Sequence, residues 1–230
     1  MRCSRAALAA GAVASAVSAV LAAPEGQANG SALYRDGSAV AQVRAGSVAL
    51  HAAPDSSRVL AVVQRTTEFG SRTTFAVTGI RGRWAEVISP LLANGMRGFV
   101  RRSEVKLSRV RVALDVDLSA RRLRVWRGGV IVRRVEIAVG AAASPTPIGR
   151  FAVTDQLTGF NTSAYGCCIL ALSGHQTNIP PGWTGGDRLA IHGGGGVGSA
   201  VSTGCLHAGE ADLRWLLRRV PLGTQIVIHP

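Results

Sequence analysis

The sequence predicts a mainly β protein, a small β-barrel followed by a larger β-rich domain with one or two short helices. Two features lead to that reading. From Val40 onward, short runs rich in Val, Ile, Leu and Ala are broken by turn signals such as Ala53-Pro54-Asp55 and Ala93-Asn94-Gly95, the texture of brief strands. Only one stretch, Glu210 to Val220, spaces its apolar residues as a helix does. At 230 residues the chain can bury two modest cores.

Taken in order, residues 1–28 read as a secretory signal peptide with its cleavage region. Arg2 and Arg5 precede the small, apolar run Ala6 to Ala23, and Ala22, Ala23 and Ala28 offer small residues where a peptidase can cut. An uncleaved anchor is the alternative, since the run nears the length of a membrane span, although alanine and serine make it weakly hydrophobic. Either form places the folded part outside the cytoplasm, secreted to the cell envelope (periplasm or cell wall). Residues 29–39, rich in Gly, Ser and Ala, read as a flexible linker.

The barrel is expected over residues 40–107, with strands at Val40–Arg44, Val48–His51, Val59–Gln64, Phe75–Gly79, Trp84–Ile88 and Gly98–Arg101. Trp84 is expected in its core rather than on a binding face. The second domain is expected over residues 108–230. Its strand-like runs are Arg109–Asp117, Arg121–Trp126, Val130–Val139, Phe151–Thr154, Ile169–Leu172 and Arg188–His192, with Thr224–His229 closing the chain. In the helix, Leu213, Leu216, Leu217 and Val220 share a face, Glu210 and Asp212 occupy the first turn, Arg218 and Arg219 the last, and Pro221 ends it.

The formal charge of +13 comes almost entirely from arginine, Lys106 being the sole lysine. Such a charge favours anionic partners, whether nucleic acid, anionic lipid or anionic cell-wall polymers. Nucleic acid is not expected: no helix clusters its arginines, no zinc-finger spacing occurs and aromatics are sparse. Membrane contact is expected only through the N-terminal segment, if it is uncleaved.

The chemistry concentrates in Asp187-Arg188-Leu189-Ala190-Ile191-His192-Gly193 and Ser202-Thr203-Gly204-Cys205-Leu206-His207. An apolar run ending in histidine, a glycine-rich interval and a cysteine held between Gly204 and Leu206 can bring a thiol nucleophile to its base. The thiolate is the reactive form, so Cys205 needs the His192 imidazole or a positive field, such as the N-terminus of the following helix, to reach it. Cys3 leaves with the signal, and three cysteines then remain in an oxidising compartment. Cys167 and Cys168 are either small buried apolar residues or a vicinal disulfide. No cofactor and no metal are expected. His192, Cys205 and His207 are ligand types for zinc, but no C-x-x-C or H-x-x-x-H spacing accompanies them. Gly193, Gly195 and Gly198 match a dinucleotide fingerprint by letter with no helix after them, and His192-Gly193-Gly194-Gly195 imitates a lipase segment in a chain with no G-x-S-x-G elbow.

Two resemblances add to this reading. Ala53-Pro54-Asp55, Gly82-Arg83-Trp84-Ala85-Glu86-Val87 and Gly98-Phe99-Val100 resemble the bacterial Src-homology-type domains that bind cell-wall peptides, with Phe99 where that family usually has tryptophan. Ser144-Pro145-Thr146-Pro147-Ile148-Gly149-Arg150-Phe151, Ala164-Tyr165-Gly166, Ile191-His192-Gly193, Ser202-Thr203-Gly204-Cys205-Leu206 and Leu222-Gly223-Thr224-Gln225-Ile226-Val227 resemble the L,D-transpeptidase catalytic domain of bacterial cell-wall synthesis. The second resemblance implies a β-sandwich-like domain whose cysteine cuts the bond before the terminal D-alanine of a peptidoglycan stem peptide and passes the acyl group to an amine of another stem.

Carried onto this chain, the resemblance implies Cys205 as nucleophile and His192 as base, the latter oriented by a backbone carbonyl at Gly193. It implies an oxyanion hole from the amides of Thr203, Gly204 and Cys205. Ser202 is read as structural before catalytic. Tyr165, His175 and His207 are candidate substrate contacts. The family commonly has histidine at the position of Thr203, and arginine or asparagine at that of His207. An L,D-carboxypeptidase, which hands the same acyl group to water, and a non-catalytic wall-binding protein are the alternative functions.

Overall fold

The computed structural model describes residues 32–44, 46–162 and 164–230, side chains at 160–162 excepted. The signal peptide expected over 1–28 lies outside these residues. Where a linker is expected, residues 32–36 form a helical turn, α1. It is held because it carries an apolar and an aromatic anchor: Leu33 is buried, and Tyr34 stacks on Trp126 while its hydroxyl donates to Asp115 at 2.8 Å.

The first sheet comprises β1 (Ser38–Val43), β2 (Ser47–His51), β3 (Val59–Gln64), β4 (Thr74–Arg81), β5 (Trp84–Ile88), β6 (Gly98–Arg101) and β7 (Val105–Val110), in the order β3-β2-β6-β5-β4-β1-β7. All its pairings are antiparallel. Residues from every strand, among them Val43, Leu50, Val63, Phe75, Val87, Val100 and Val105, meet in one core, so the sheet must curl around it. Its end strands β3 and β7 do not pair with each other among the described residues. Trp84 is buried.

The expected strand Arg109–Asp117 is two strands. β7 pairs with β1 in the first sheet, and after Arg111 the chain crosses to begin the second sheet with β8 (Val112–Asp117). Continuous apolar alternation hid that change of partner. There follow β9 (Arg122–Arg127), β10 (Val130–Gly140), β11 (Gly149–Thr162), β12 (Gly166–His175), β13 (Arg188–His192), β14 (Ala200–Ser202), β15 (Leu206–Ala208), helix α2 (Glu210–Arg219) and β16 (Gln225–His229).

The order β14-β10-β15-β13-β12-β11-β16-β8-β9, with β9 also pairing to β10, closes this sheet on itself and leaves β14 hanging from β10. The closed barrel is thus the second sheet, where a sandwich is expected, and not the first. The closing β9–β10 hairpin turns at Gly128 and Gly129, both at positive φ (59° and 83°), as a tight two-residue hairpin turn requires.

β12 is buried along nearly its whole length, with α2 packed against it. Leu213 and Leu216 of α2 join the barrel core. Between the sheets the contact is mostly polar. Gln225 donates to the Val77 carbonyl at 3.0 Å, and Asn94 exchanges two hydrogen bonds with the His175 backbone at 2.7 and 2.9 Å. Ala76, Ile88 and Ala152 make a small apolar contact beside them.

Leu213 is fully buried, so Leu213→Ala is expected to cost about 2–5 kcal/mol through lost burial and a residual cavity. Urea unfolding should show a lower midpoint with an unchanged slope.

Candidate active site

The site is built where β13 and β15 run side by side. Their parallel register pairs Ile191 with Leu206 and His192 with His207. Side chains alternate along a strand, so Leu189, Ile191 and Leu206 enter the core. Ala190, His192, Cys205 and His207 instead line a cavity of about 340 Å³. Tyr165, Ser202, Thr203, Ile179 and Trp183 also line it.

His192 is buried, and its Nδ1 donates to the Gly193 carbonyl. That bond leaves Nε2 as the basic nitrogen. Burial pushes the imidazole down to about 4; His207 adds to the fall, while the carbonyls of Gly193 and Ala164 oppose it. The His207 ring lies 4.7 Å from that of His192, and Tyr165 packs edge-on against His192 at 5.0 Å. His207 Nδ1 bonds the Gly195 carbonyl at 2.9 Å.

Among the described residues Cys205 carries the free thiol, whereas Cys167 and Cys168 are bonded to each other. Its Sγ donates to the Arg188 carbonyl at 3.9 Å. Burial pushes the thiol above its ordinary value, and the Ala190 amide only partly opposes it. The thiolate-favouring shift expected from the N-terminus of α2 is not seen, the net shift being upward. Within the shared cavity, thiol and imidazole are thus both held in their neutral forms.

The cysteine turn is braced from within. Ser202 Oγ donates to the Cys205 carbonyl at 2.6 Å and accepts from the Gly204 amide at 3.1 Å. Gly204 has φ +115°, and a Cβ there would lie 2.0 Å from Gln176 Nε2, so only glycine fits.

His175, a candidate substrate contact, does not line this cavity. It sits where the two sheets meet, with Nε2 on the Pro90 carbonyl at 2.7 Å and Nδ1 on Asp187 Oδ2 at 3.0 Å. Thr203, Ser202, Tyr165 and His207 do reach the cavity. His192, Cys205 and His207 share the cavity, yet no group of three or more His, Cys, Asp or Glu among the described residues could hold a metal ion.

Sequence reasoning missed Gln176. Its side chain is buried and donates to the Thr203 carbonyl at 2.9 Å and the Pro145 carbonyl at 3.2 Å, fastening the cysteine turn to the Ser144-Pro145 loop. A polar residue directly after a long apolar strand was the available signal. In sequence, Glu210 shows only as a first-turn helix charge. Its carboxylate accepts from the Cys167 amide at 2.8 Å, beside the Tyr165-Gly166 turn.

The YkuD family, described as the L,D-transpeptidase catalytic domain, matches residues 111–228. A Bacillus licheniformis protein named as an L,D-transpeptidase, YkuD, is 30% identical over 122 residues, which are 51% of this chain and 65% of that protein. The chain thus spans just under two thirds of that relative's length. Among solved structures, an L,D-transpeptidase from Mycobacterium tuberculosis H37Rv is 19% identical with a TM-score of 0.42, the match covering 60% of this chain and 67% of the other. One from Mycobacterium smegmatis is 14% identical with a TM-score of 0.44, covering 83% and 99% respectively.

The His192 imidazole is expected to stay neutral as pH falls and to take its proton only near pH 4, followed by its ring-proton NMR shift. A midpoint at the ordinary histidine value of about 6.5 would contradict the burial argument. Alkylation of Cys205 by iodoacetamide should keep accelerating as the medium turns alkaline, with no plateau near neutrality.

Proposed function

The chain belongs to the family of L,D-transpeptidase catalytic domains, and from that premise we propose that it cross-links peptidoglycan through a cysteine acyl-enzyme. The observation that carries the reading is the convergence of His192, its Nδ1 committed to Gly193, and Cys205 on one cavity. Cys205 Sγ attacks the carbonyl before the terminal D-alanine of a stem peptide as its proton passes to His192 Nε2. The tetrahedral oxyanion draws on backbone amides of the cysteine turn. Because the Gly204 amide already bonds Ser202 Oγ, those of Cys205 and Thr203 carry that role. Collapse returns the proton to the leaving amine, releases D-alanine and leaves a thioester. An amine of a second stem peptide then attacks the thioester, losing its proton to His192 and freeing the thiol.

Tyr165 and His207 flank the base and would border the donor peptide. Residues 1–28 are read as the signal that delivers residues 108–230 to the envelope, with residues 40–107 as a Src-homology-type wall-binding domain. No helix among the described residues is long and apolar enough to cross a membrane. The attraction to anionic wall polymers finds support in a concavity of about 460 Å³ on the first sheet, lined by Arg44, Arg83, Arg101 and Arg102 with no carboxylate among its lining residues. The guanidinium of Arg101 rests on Trp84 at 4.5 Å.

Brief exposure to a carbapenem, which the family resemblance casts as a donor mimic, is expected to add one drug mass to the wild type. None should appear on Cys205→Ala, and turnover should be abolished; an adduct on the variant, or retained turnover, would remove Cys205 from the mechanism. Arg44→Glu with Arg101→Glu is expected to weaken retention on anionic wall polymer and flatten its salt dependence. An equal loss from Arg218→Glu with Arg219→Glu would reduce that attraction to net charge.

A further inference from the structure

We propose that the first sheet is a working part of the active site: Glu68 and Asn94 hold Arg188 and the strand end bearing Gln176, and these two positioning residues hold Cys205 and its turn. The inference rests on Cys205 being the nucleophile.

Arg188 opens β13 with its side chain largely covered. Nε donates to the Leu172 carbonyl at 2.9 Å and one terminal nitrogen to Thr154 Oγ1 at 2.8 Å. The other terminal nitrogen pairs with Glu68 of the loop joining β3 to β4, and the guanidinium lies 6.0 Å from the Phe69 ring. With its fork occupied on three sides, the Arg188 side chain is anchored to both sheets. Its carbonyl is the group that Cys205 Sγ bonds.

The second arm runs through β12. The Asn94 carboxamide grips both the amide and the carbonyl of His175, as a neighbouring strand would, and the Pro90 carbonyl meets the His175 ring. The next residue, Gln176, bonds the Asp187 carbonyl through its amide at 2.7 Å and the Thr203 carbonyl through its side chain at 2.9 Å. Its carboxamide fills the space a side chain at position 204 would need. Two short paths therefore lead from the first sheet to the nucleophile, one to the sulfur and one to the peptide units before it. Displacement of reacting groups by about 1 Å can cost on the order of a hundredfold in rate, so this bracing matters to turnover.

Neither Glu68 nor Asn94 lines the cavity, and the Glu68 side chain is half exposed, which makes them suitable probes in the full chain. In Glu68→Gln with Asn94→Ala, kcat for a stem-tetrapeptide donor is expected to fall about tenfold or more with KM within about twofold. Alkylation of Cys205 by iodoacetamide at about pH 8 should accelerate several-fold, because a loosened turn admits reagent and water to a thiol that burial otherwise protects. Glu68→Asp, which keeps the carboxylate, should recover most of the kcat lost in Glu68→Gln. A folded double variant with kcat and alkylation rate both within about twofold of wild type overturns the inference. Absence of turnover in the wild type would instead overturn the proposed reaction, and the alkylation rates would still decide whether the first sheet positions Cys205.

Discussion

The parallel pairing of β13 with β15 is the constraint on which the site depends. With Ile191 beside Leu206, the apolar side chains of both strands enter the barrel core and the polar ones face the cavity together. A slip of one residue would exchange the faces, sending His192 or Cys205 into the core and an isoleucine or leucine into the cavity. Fully buried Leu189, Ile191 and Leu206 make that slip expensive. The hydrophobic core thereby sets the alignment of Cys205 and His192.

Burial that fixes the register also sets the electrostatics. The thiol is held up and the imidazole down, both chiefly through loss of water. Neither group is charged at rest, although the chain has a formal charge of +13. Neutrality suits the proposed reaction, in which charge develops only when a carbonyl arrives, since a standing thiolate–imidazolium pair would itself need solvation in a covered cavity.

Two of the polar contacts between the sheets lead toward Cys205 and its turn. Glu68 reaches Arg188, Asn94 reaches His175, and Thr67 donates to the buried Asp155. Hydrogen bonds fix distance and direction more narrowly than apolar contact does. An interface of this kind hands its geometry on to the strand ends it touches, and β12 and β13 both present such ends to the cysteine turn.

Much was legible in the order of residues alone. The two β-rich stretches, the amphipathic Glu210 helix, the buried Trp84 and the nearness of His192 to Cys205 follow from local periodicity and from spacing along the chain, which a sequence carries explicitly. Strand partners do not. Arg109–Asp117 reads as one run because both sheets ask for the same alternation, and β14 and β15 are too short to show any. Which sheet closes depends on β9 finding β10 as well as β8, a relation among three segments. His175 and Gln176 are adjacent, and composition alone could not assign one to the contact between the sheets and the other to the cysteine turn. That division, like the direction in which burial shifts His192 and Cys205, is set by neighbours brought from distant parts of the chain and by the water they exclude.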